Sequence, residues 1–184
     1  CSSSVQEVMD LGAVAHLSTI KGRVPFLHFF DGFRTSHEIQ KIAVWDYKDL
    51  AEMLDWDAVD RFRQHALNPE HPVQRGTAQN PDIFFQAREA SNTYYEAIPD
   101  VVESYMNMVN EKIGSNYKLF NYYGPRDAKR VIIAMGSVCE TIEETVDHLN
   151  AAGDKVGLIK VRLYRPFSVK HLLAAIPSTV ESIS

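Results

Sequence analysis

The sequence is short of cysteine, of long apolar runs and of positive charge. Its 184 residues include 2 cysteines, Cys1 and Cys139, which are too few for a disulfide framework or for the four thiolates of an iron–sulfur cluster. No apolar stretch reaches the roughly 18 residues of a membrane-spanning helix, and no secretory signal is recognisable near Cys1. The 19 Lys and Arg against 24 Asp and Glu give a net charge of −5, which argues against a nucleic-acid binder. We therefore expect a cytoplasmic protein with neither nucleic acid nor membrane as a partner.

Charge is unevenly distributed along the chain. Residues 1–117 carry 10 Lys and Arg against 17 Asp and Glu, whereas residues 118–184 carry 9 against 7. Turn-forming residues cluster between 114 and 127, where the balance of basic and acidic residues changes. The sequence therefore predicts two compact segments, 1–117 and 118–184.

The first segment is predicted to start with a helix and a buried strand. Ser4 and Glu7 have the capping-box spacing, and apolar residues recur at helical spacing as far as Ile20. The apolar run 24–30 is typical of a strand that is buried on both faces of a parallel sheet. Such a strand needs a parallel neighbour joined by a crossover, so we expect its partner before Cys1 and the chain to begin inside a domain.

The rest of the first segment is predicted to be mainly helical. Thr35 and Glu38 repeat the capping-box spacing. Helices are predicted over 46–55, 57–67 and 82–113, with a break at Pro99 and irregular chain over 73–80.

The second segment alternates strands and helices. Strands are predicted at 131–135 and 155–163, with a helix at 138–151 between them and a last helix that starts at Ser168 and is stopped by Pro177. The β-α-β-α order is typical of a parallel sheet with right-handed crossovers. Both segments therefore indicate an α/β fold in which helices cover layers of parallel β-sheet.

The loop after the first predicted strand is the strongest candidate site. Ligands of open α/β sheets bind outside the carboxyl ends of the strands, and this loop holds groups that suit an anion beside a helix N-terminus. The candidate residues are Asp31, Arg34, Thr35, Ser36 and His37. The simpler interpretation, which the residues alone favour, is that Thr35 caps a helix, Asp31 pairs with Arg34 and His37 faces water.

Three other kinds of site are disfavoured. The turn Gly136–Ser137 can receive a phosphate, but one glycine falls short of a dinucleotide fingerprint, and a tight turn with a serine cap explains it. Cys139 lies in a helical first turn, which can activate a thiol, although burial is the simpler expectation. The 7 histidines show no metal-ligand spacing such as H-E-x-x-H. We expect no metal and no cofactor site in this chain.

Several blocks of the sequence resemble pyruvate:ferredoxin (flavodoxin) oxidoreductases. The blocks cover essentially the whole chain, and the last also resembles the strand-to-turn of transketolase C-terminal domains. They are VQEVMD at 5–10, HFFDGFRTSHEI at 28–39, MGS at 135–137 with ETIEE at 140–144, and KVRLYRPF at 160–167.

The resemblance implies that the chain is an internal fragment of such an enzyme. Residues 1–117 would be the C-terminal half of a pyrimidine-type thiamine-binding domain with trailing helices. Residues 118–184 would be the N-terminal part of a second domain that is similar to the transketolase C-terminal domain.

The resemblance also implies an activity. The family oxidatively decarboxylates pyruvate with coenzyme A to acetyl-CoA and CO2, and its electrons pass to ferredoxin or flavodoxin. Thiamine diphosphate, Mg²⁺ and [4Fe–4S] clusters are implied for the full enzyme, together with a homodimer and the rest of the same polypeptide as partners. The family's catalytic and cofactor motifs match nothing here. The fragment alone is therefore expected to be inactive, with the loop 31–38 close to the active site.

Two alternatives from other functional classes remain open. One is a non-catalytic α/β interaction module that self-associates through exposed sheet edges. The other is an anion-binding module that uses Gly136 and Ser137.

Overall fold

The computed structural model describes residues 1–74, 76 and 78–184, and it confirms the mixed α/β class. Within this described part, no helix is long and apolar enough to cross a membrane. In chain order the elements are α1 (Val5–Gly22), α2 (Arg34–His37), α3 (Tyr47–Met53), α4 (Trp56–Gln64), α5 (Pro81–Ala90), α6 (Asn92–Ile113), β1 (Phe120–Tyr123), β2 (Arg130–Ala134), α7 (Val138–Ala151), β3 (Val156–Val161), α8 (Val169–Ala175) and β4 (Ser182–Ile183).

The second segment forms a four-stranded sheet in the order β1-β3-β2-β4. The predicted β-α-β unit is present as β2, α7 and β3, and its two strands are parallel with Arg130 opposite Val156. The sequence analysis missed β1, which pairs antiparallel with β3, and the short β4, which pairs parallel with β2. These two strands complete a sheet that two parallel strands alone would leave too small.

The strand predicted at 24–30 does not form. Residues 24–30 have no strand partner in the part of the chain that the structure describes. Val24 is buried, but Leu27 is 85% exposed, and Phe29 and Phe30 are 38% and 39% exposed. Apolar character marks a segment as suited to burial, but a strand also needs a neighbour to pair its backbone groups. The prediction is therefore wrong for this chain.

The helices of the first segment lie close to their predicted positions, with one displaced break. α1 begins as expected, because the Ser4 hydroxyl accepts a hydrogen bond from the Glu7 backbone N–H at 3.3 Å. The break between α5 and α6 falls at Ser91, whereas Pro99 is buried inside α6. In the predicted irregular stretch 73–80, the described residues form neither helix nor strand, while Arg75 and Thr77 lie outside the described residues.

Tight packing of α6 against α1 explains why a proline is tolerated there. Ile98 is fully buried, and a Cβ atom on Gly22 would clash with its Cδ1 atom. Glycine at position 22 thus allows the close approach of the two helices. The free energy gained by apolar burial along this interface offsets the cost of the backbone hydrogen bond that Pro99 cannot make.

A single cluster of buried apolar residues joins the two segments. α1 and α6 contribute one side of the cluster, and the sheet with its flanking residues contributes the other. Its members include Leu11, Val14, Leu17, Ile98, Val102, Val109, Leu119, Val131, Ile159, Val161 and Leu163.

A buried ion pair crosses the same junction. Nη2 of Arg162 lies 2.5 Å from Oε1 of Glu7, and these side chains are 5% and 11% exposed. Ser3 donates to the other carboxylate oxygen of Glu7 through its backbone N–H at 2.9 Å and its hydroxyl at 2.8 Å. Burial acts to raise the pKa of the Glu7 carboxyl, but Arg162 and Ser3 lower that pKa by more. Glu7 is therefore ionised in the folded protein.

Polar side chains also fix the connection that leads out of α6. Asn110 accepts a hydrogen bond from the Tyr117 backbone N–H at 2.6 Å and donates to the Tyr117 carbonyl at 2.9 Å. The Tyr117 hydroxyl donates to Asp10 at 2.8 Å, and its ring lies 5.2 Å below the guanidinium of Arg162. Burial and the bond to Asp10 raise the pKa of Tyr117. Residues 110–117 thereby join α1 to the sheet.

Substitution of either member of the buried ion pair is predicted to destabilise the chain strongly. Glu7→Gln or Arg162→Met leaves an uncompensated buried polar or charged group, so we expect a loss of about 3–5 kcal/mol in the free energy of unfolding. Urea denaturation at pH 7 measures this loss. The double variant is expected to lose less than the sum of the single losses.

The exposed pair between Lys129 and Glu181 provides the control. Its side chains are 47% and 70% exposed, so Lys129→Met is expected to cost at most about 1 kcal/mol. Losses in the Glu7 and Arg162 variants no larger than this control would contradict the prediction.

Candidate functional site

The structure brings together two regions that the sequence analysis treated as separate candidates. Oδ1 of Asp31 accepts the Ser137 backbone N–H at 2.9 Å, and Oδ2 accepts the Ser137 hydroxyl at 2.7 Å, across 106 residues of sequence. Asp31 thus places a carboxylate at the N-terminus of α7, where the helix dipole favours negative charge. Ser137 is the N-cap residue of α7, but its hydroxyl makes no capping hydrogen bond within that helix.

Hydrogen bonding keeps this carboxylate ionised. The Ser137 hydroxyl is the largest influence on the pKa of Asp31 and lowers it; partial burial acts the other way, and the backbone N–H of Ser137 lowers it further. The φ of +86° at Gly136 is a backbone conformation that suits glycine, and a Cβ atom there would be in ordinary van der Waals contact with Oδ1 of Asp31, at 3.4 Å. An added phosphate at this turn would have to displace the carboxylate that is already there.

The other four candidate residues, Arg34, Thr35, Ser36 and His37, form the short helix α2. Thr35 is buried inside it, while Arg34 and Ser36 are exposed. The predicted capping box is wrong, since Phe33 is the N-cap of α2 and Glu38 lies beyond its last residue. The predicted pair is wrong too, because the contacts of the described residues give Asp31 the partner Ser137 and no ion pair with Arg34.

His37, the last residue of α2, contacts its own neighbours in the chain. Its ring stacks on that of Phe33, with 5.0 Å between the ring centroids, and its Nδ1 atom lies 2.7 Å from the Ser36 hydroxyl. The same hydroxyl accepts the Phe33 backbone N–H at 2.9 Å. His37 is exposed, as the simpler interpretation expects.

The polar side chains of this loop mainly hold one another and the N-terminus of α7 in position. Asp31 is engaged by Ser137, and the Ser36 hydroxyl is engaged by Phe33 and His37. A serine beside a histidine becomes a strong nucleophile when a third group orients the imidazole, and no hydrogen bond from such a group reaches His37 among the described residues. The exposed side chain of Arg34 forms no ion pair with any described residue, so its guanidinium can reach a neighbouring molecule or chain.

A cavity of about 720 Å³ borders the segment that leads into the loop. It lies between residues 24–29, α1, α6 and the stretch 162–167, and its walls are mostly apolar with Arg88, Tyr95 and Arg165 among the polar groups. This volume is within the usual range for small-molecule sites. The sequence analysis missed the cavity because its walls come from distant parts of the chain and share no local pattern.

His28 closes one side of this cavity. Its Nε2 atom lies 2.8 Å from the Ser2 hydroxyl, and burial is the main influence that lowers its pKa. The imidazole is therefore neutral at pH 7.

Cys139 is not an activated thiol. It is 1% exposed, and burial raises the pKa of its thiol to about 11. The expectation that it is buried as a small apolar residue is confirmed.

Comparison with known proteins gives matches over most of the chain. Residues 1–107 match a family model described as pyruvate flavodoxin/ferredoxin oxidoreductase, thiamine diphosphate-binding. Residues 128–183 match a model described as pyruvate:ferredoxin oxidoreductase core domain II.

Three curated relatives are similar over nearly the full chain. The pyruvate-flavodoxin oxidoreductase of Enterobacter agglomerans is 68% identical over 99% of the chain, and that of Klebsiella pneumoniae is 63% identical over 99%. The pyruvate:ferredoxin oxidoreductase of Moorella thermoacetica is 63% identical over 100%. The chain spans 16% of the length of each of these relatives.

Asp31→Asn is predicted to destabilise the folded chain in a pH-dependent way. The pKa of Asp31 is lowered on folding from its ordinary value of 3.8, so its charge stabilises the folded state above that value. The stabilisation is lost as the pH falls through the lowered pKa of the folded state. We expect the variant to lose about 1 kcal/mol at pH 7, as for a lost helix cap, and the difference from wild type to shrink below about pH 4.

Urea denaturation between pH 3 and 7 measures this effect. Asp57→Asn is the matched control, because Asp57 is an exposed acidic residue in the first turn of α4 and has no hydrogen bond or ion pair within the described part of the chain. Equal pH profiles for the Asp31 and Asp57 variants would contradict the assigned role of Asp31.

Proposed function

Because the chain belongs to the pyruvate flavodoxin/ferredoxin oxidoreductase family, we propose that it is part of an enzyme that oxidises pyruvate. In the proposed reaction, pyruvate loses CO2, its acetyl group is transferred to coenzyme A, and two electrons pass to ferredoxin or flavodoxin. The observation that carries the proposal is the succession of two family models along one chain, at residues 1–107 and 128–183. Identity of 68% to one relative over 99% of the chain supports it.

We propose that the chain contributes parts of two domains, 1–117 and 118–184. The left-handed Gly114 that ends α6 supports a boundary in this region, as does the gap between the two matched ranges. The shared core, the Glu7–Arg162 pair and the Asp31–Ser137 contact give these parts a fixed relative position. Their proposed role is to hold the loop 31–38 rigidly beside the active site.

The described residues alone do not fit thiamine diphosphate. A diphosphate with its Mg²⁺ needs oxygen ligands for the metal and donors for the phosphates, but Asp31 is taken by Ser137 and the N-terminus of α7 is taken by Asp31. We therefore propose that other parts of the longer polypeptide supply the residues that bind this cofactor. On this proposal the chain by itself is inactive.

The other expectations that the family raises remain proposals. They are Mg²⁺, [4Fe–4S] clusters, coenzyme A and pyruvate as ligands, a homodimer, and a cytoplasmic location. Cluster ligands are thiolates, and of the two cysteines Cys139 is buried with a raised pKa. We propose that the clusters are bound outside these 184 residues.

A chimera tests the proposed function. We predict that the Enterobacter agglomerans enzyme retains pyruvate- and coenzyme A-dependent reduction of flavodoxin when its matching segment is replaced by this chain. The expected rate is within about tenfold of the parent, which corresponds to about 1.4 kcal/mol in the barrier. A chimera that carries the matching segment of the Klebsiella pneumoniae enzyme is the control. A folded chimera without activity, beside an active control, would contradict the proposal.

Calorimetry tests the inactivity of the isolated chain. With thiamine diphosphate and Mg²⁺ added to the 184-residue chain, we expect no binding, because Asp31 and the α7 N-terminus are already engaged by one another. The active chimera is the positive control under the same conditions. Binding by the isolated chain as tight as that of the chimera would show that the cofactor site is complete here.

A further inference from the structure

A second group of donor atoms lies where α6 meets α8, away from the loop 31–38. Asp100 and Glu103 lie three residues apart on α6, and His171 lies on α8. One ligand atom of each lies within 4.8 Å of the others. Nε2 of His171 is 3.4 Å from Oε2 of Glu103 and 3.8 Å from Oδ1 of Asp100.

The histidine is held in place and aimed at the two carboxylates. Its Nδ1 atom lies 2.6 Å from the Ser168 hydroxyl, which fixes the ring orientation. The side chain is 11% exposed, and its buried Nε2 atom has no hydrogen-bond partner among the described residues. A buried polar atom without a partner costs free energy, so a ligand that satisfies Nε2 would be stabilising.

We propose that Asp100, Glu103 and His171 bind a divalent transition-metal ion, with Zn²⁺ as the best match. Imidazole nitrogen and carboxylate oxygen are its usual ligands beside thiolate, and three protein ligands leave a fourth position for water. Ligand atoms that are about 2.0–2.1 Å from a tetrahedral ion lie about 3.3 Å from one another. The distances of 3.4 and 3.8 Å from Nε2 are close to this spacing.

The surroundings of the three residues agree with this assignment. Metal-binding histidines usually donate the N–H of their second ring nitrogen to an acceptor, and the Ser168 hydroxyl lies where it can accept this hydrogen bond from Nδ1 of His171. Mg²⁺ and Ca²⁺ fit less well, because they prefer six or more oxygen ligands. Lys170 lies 3.6 Å from Asp100, but these side chains are 78% and 71% exposed, and such a pair is weak enough for a metal ion to displace.

The bound ion would tie α8 to α6 and thus connect the two segments. The alternative is a protonated His171 that forms ion pairs with Glu103 and Asp100 and binds no metal. Added Zn²⁺ distinguishes the two possibilities, because a metal site binds the ion whereas an ion pair needs no metal. Replacing a charged ligand by a neutral residue weakens Zn²⁺ binding only if the metal site exists.

Titration of the 184-residue chain with Zn²⁺ tests the site. We expect one ion per chain at this site, with binding at least about tenfold weaker in Glu103→Gln and in His171→Gln. Loss of the hydrogen bond in Ser168→Ala is expected to weaken binding by about tenfold as well. Glu111→Gln is the matched control, since Glu111 is an exposed glutamate at the far end of the same helix.

Thermal melting gives an independent readout. Zn²⁺ that binds the folded state raises the melting temperature, so the wild-type chain and Glu111→Gln should be stabilised and Glu103→Gln should not. Glu103 is 44% exposed, so this variant is suitable even if His171→Gln fails to fold. Equal Zn²⁺ affinity in Glu103→Gln and Glu111→Gln, or no binding to the wild-type chain, would overturn the proposal.

Discussion

The buried contact between Glu7 and Arg162 is the interaction on which the arrangement of the two segments depends. Glu7 lies in the first turn of α1, and Arg162 directly follows β3, where its backbone N–H donates to the Leu119 carbonyl at 2.9 Å. The pair therefore links α1 to the carboxyl end of β3, an inner strand of the sheet, through a residue whose backbone is itself hydrogen-bonded to Leu119. Ser3 and Asn121 also bind these side chains, but at this depth only the opposite charge compensates each buried ion, so the pair holds the two segments together. With α1 held in this orientation, the segment that follows it places Asp31 at the N-terminus of α7.

Local signals in the sequence predicted much of the secondary structure. The capping residues Ser4 and Glu7 located the start of α1. The helix predicted at 138–151 matches α7, at whose end the backbone N–H groups of Gly153 and Asp154 donate to the carbonyls of Asn150 and Leu149 at 3.0 Å. Such signals act over a few residues, and they are not decisive, since the capping-box spacing of Thr35 and Glu38 does not form a cap. The same reasoning failed at Pro99, because the packing of Ile98 against Gly22 outweighs the preference of a proline for a helix end.

Predictions of strands were less accurate, because a strand depends on a pairing partner that is distant in sequence. The run 24–30 has the composition of a buried strand, but composition does not supply the neighbour that would pair with it. The strand β1 was missed because its four residues from Phe120 to Tyr123 are recognisable only beside β3.

The candidate site shows the same limit. Asp31 and Ser137 were each singled out as candidates, and both lie within blocks that resemble the oxidoreductase family, yet no local pattern shows that they touch. The role of the loop residues Arg34, Thr35, Ser36 and His37 in the full enzyme stays a prediction. The sequence analysis did not recognise the metal-ligand candidates Asp100, Glu103 and His171, because they come together only when α8 packs against α6.

The long sequence separation within the Glu7–Arg162 pair has a consequence for synthesis on the ribosome. Glu7 and Arg162 are 155 residues apart, so Glu7 is translated roughly 8–30 s before Arg162, at 5–20 residues per second. During that interval α1 carries its acidic first turn and its apolar face without the partners that later bury them. The first segment therefore cannot complete its folding while the nascent chain is still being extended through β3, and this interval is when a chaperone would have the most exposed surface to bind.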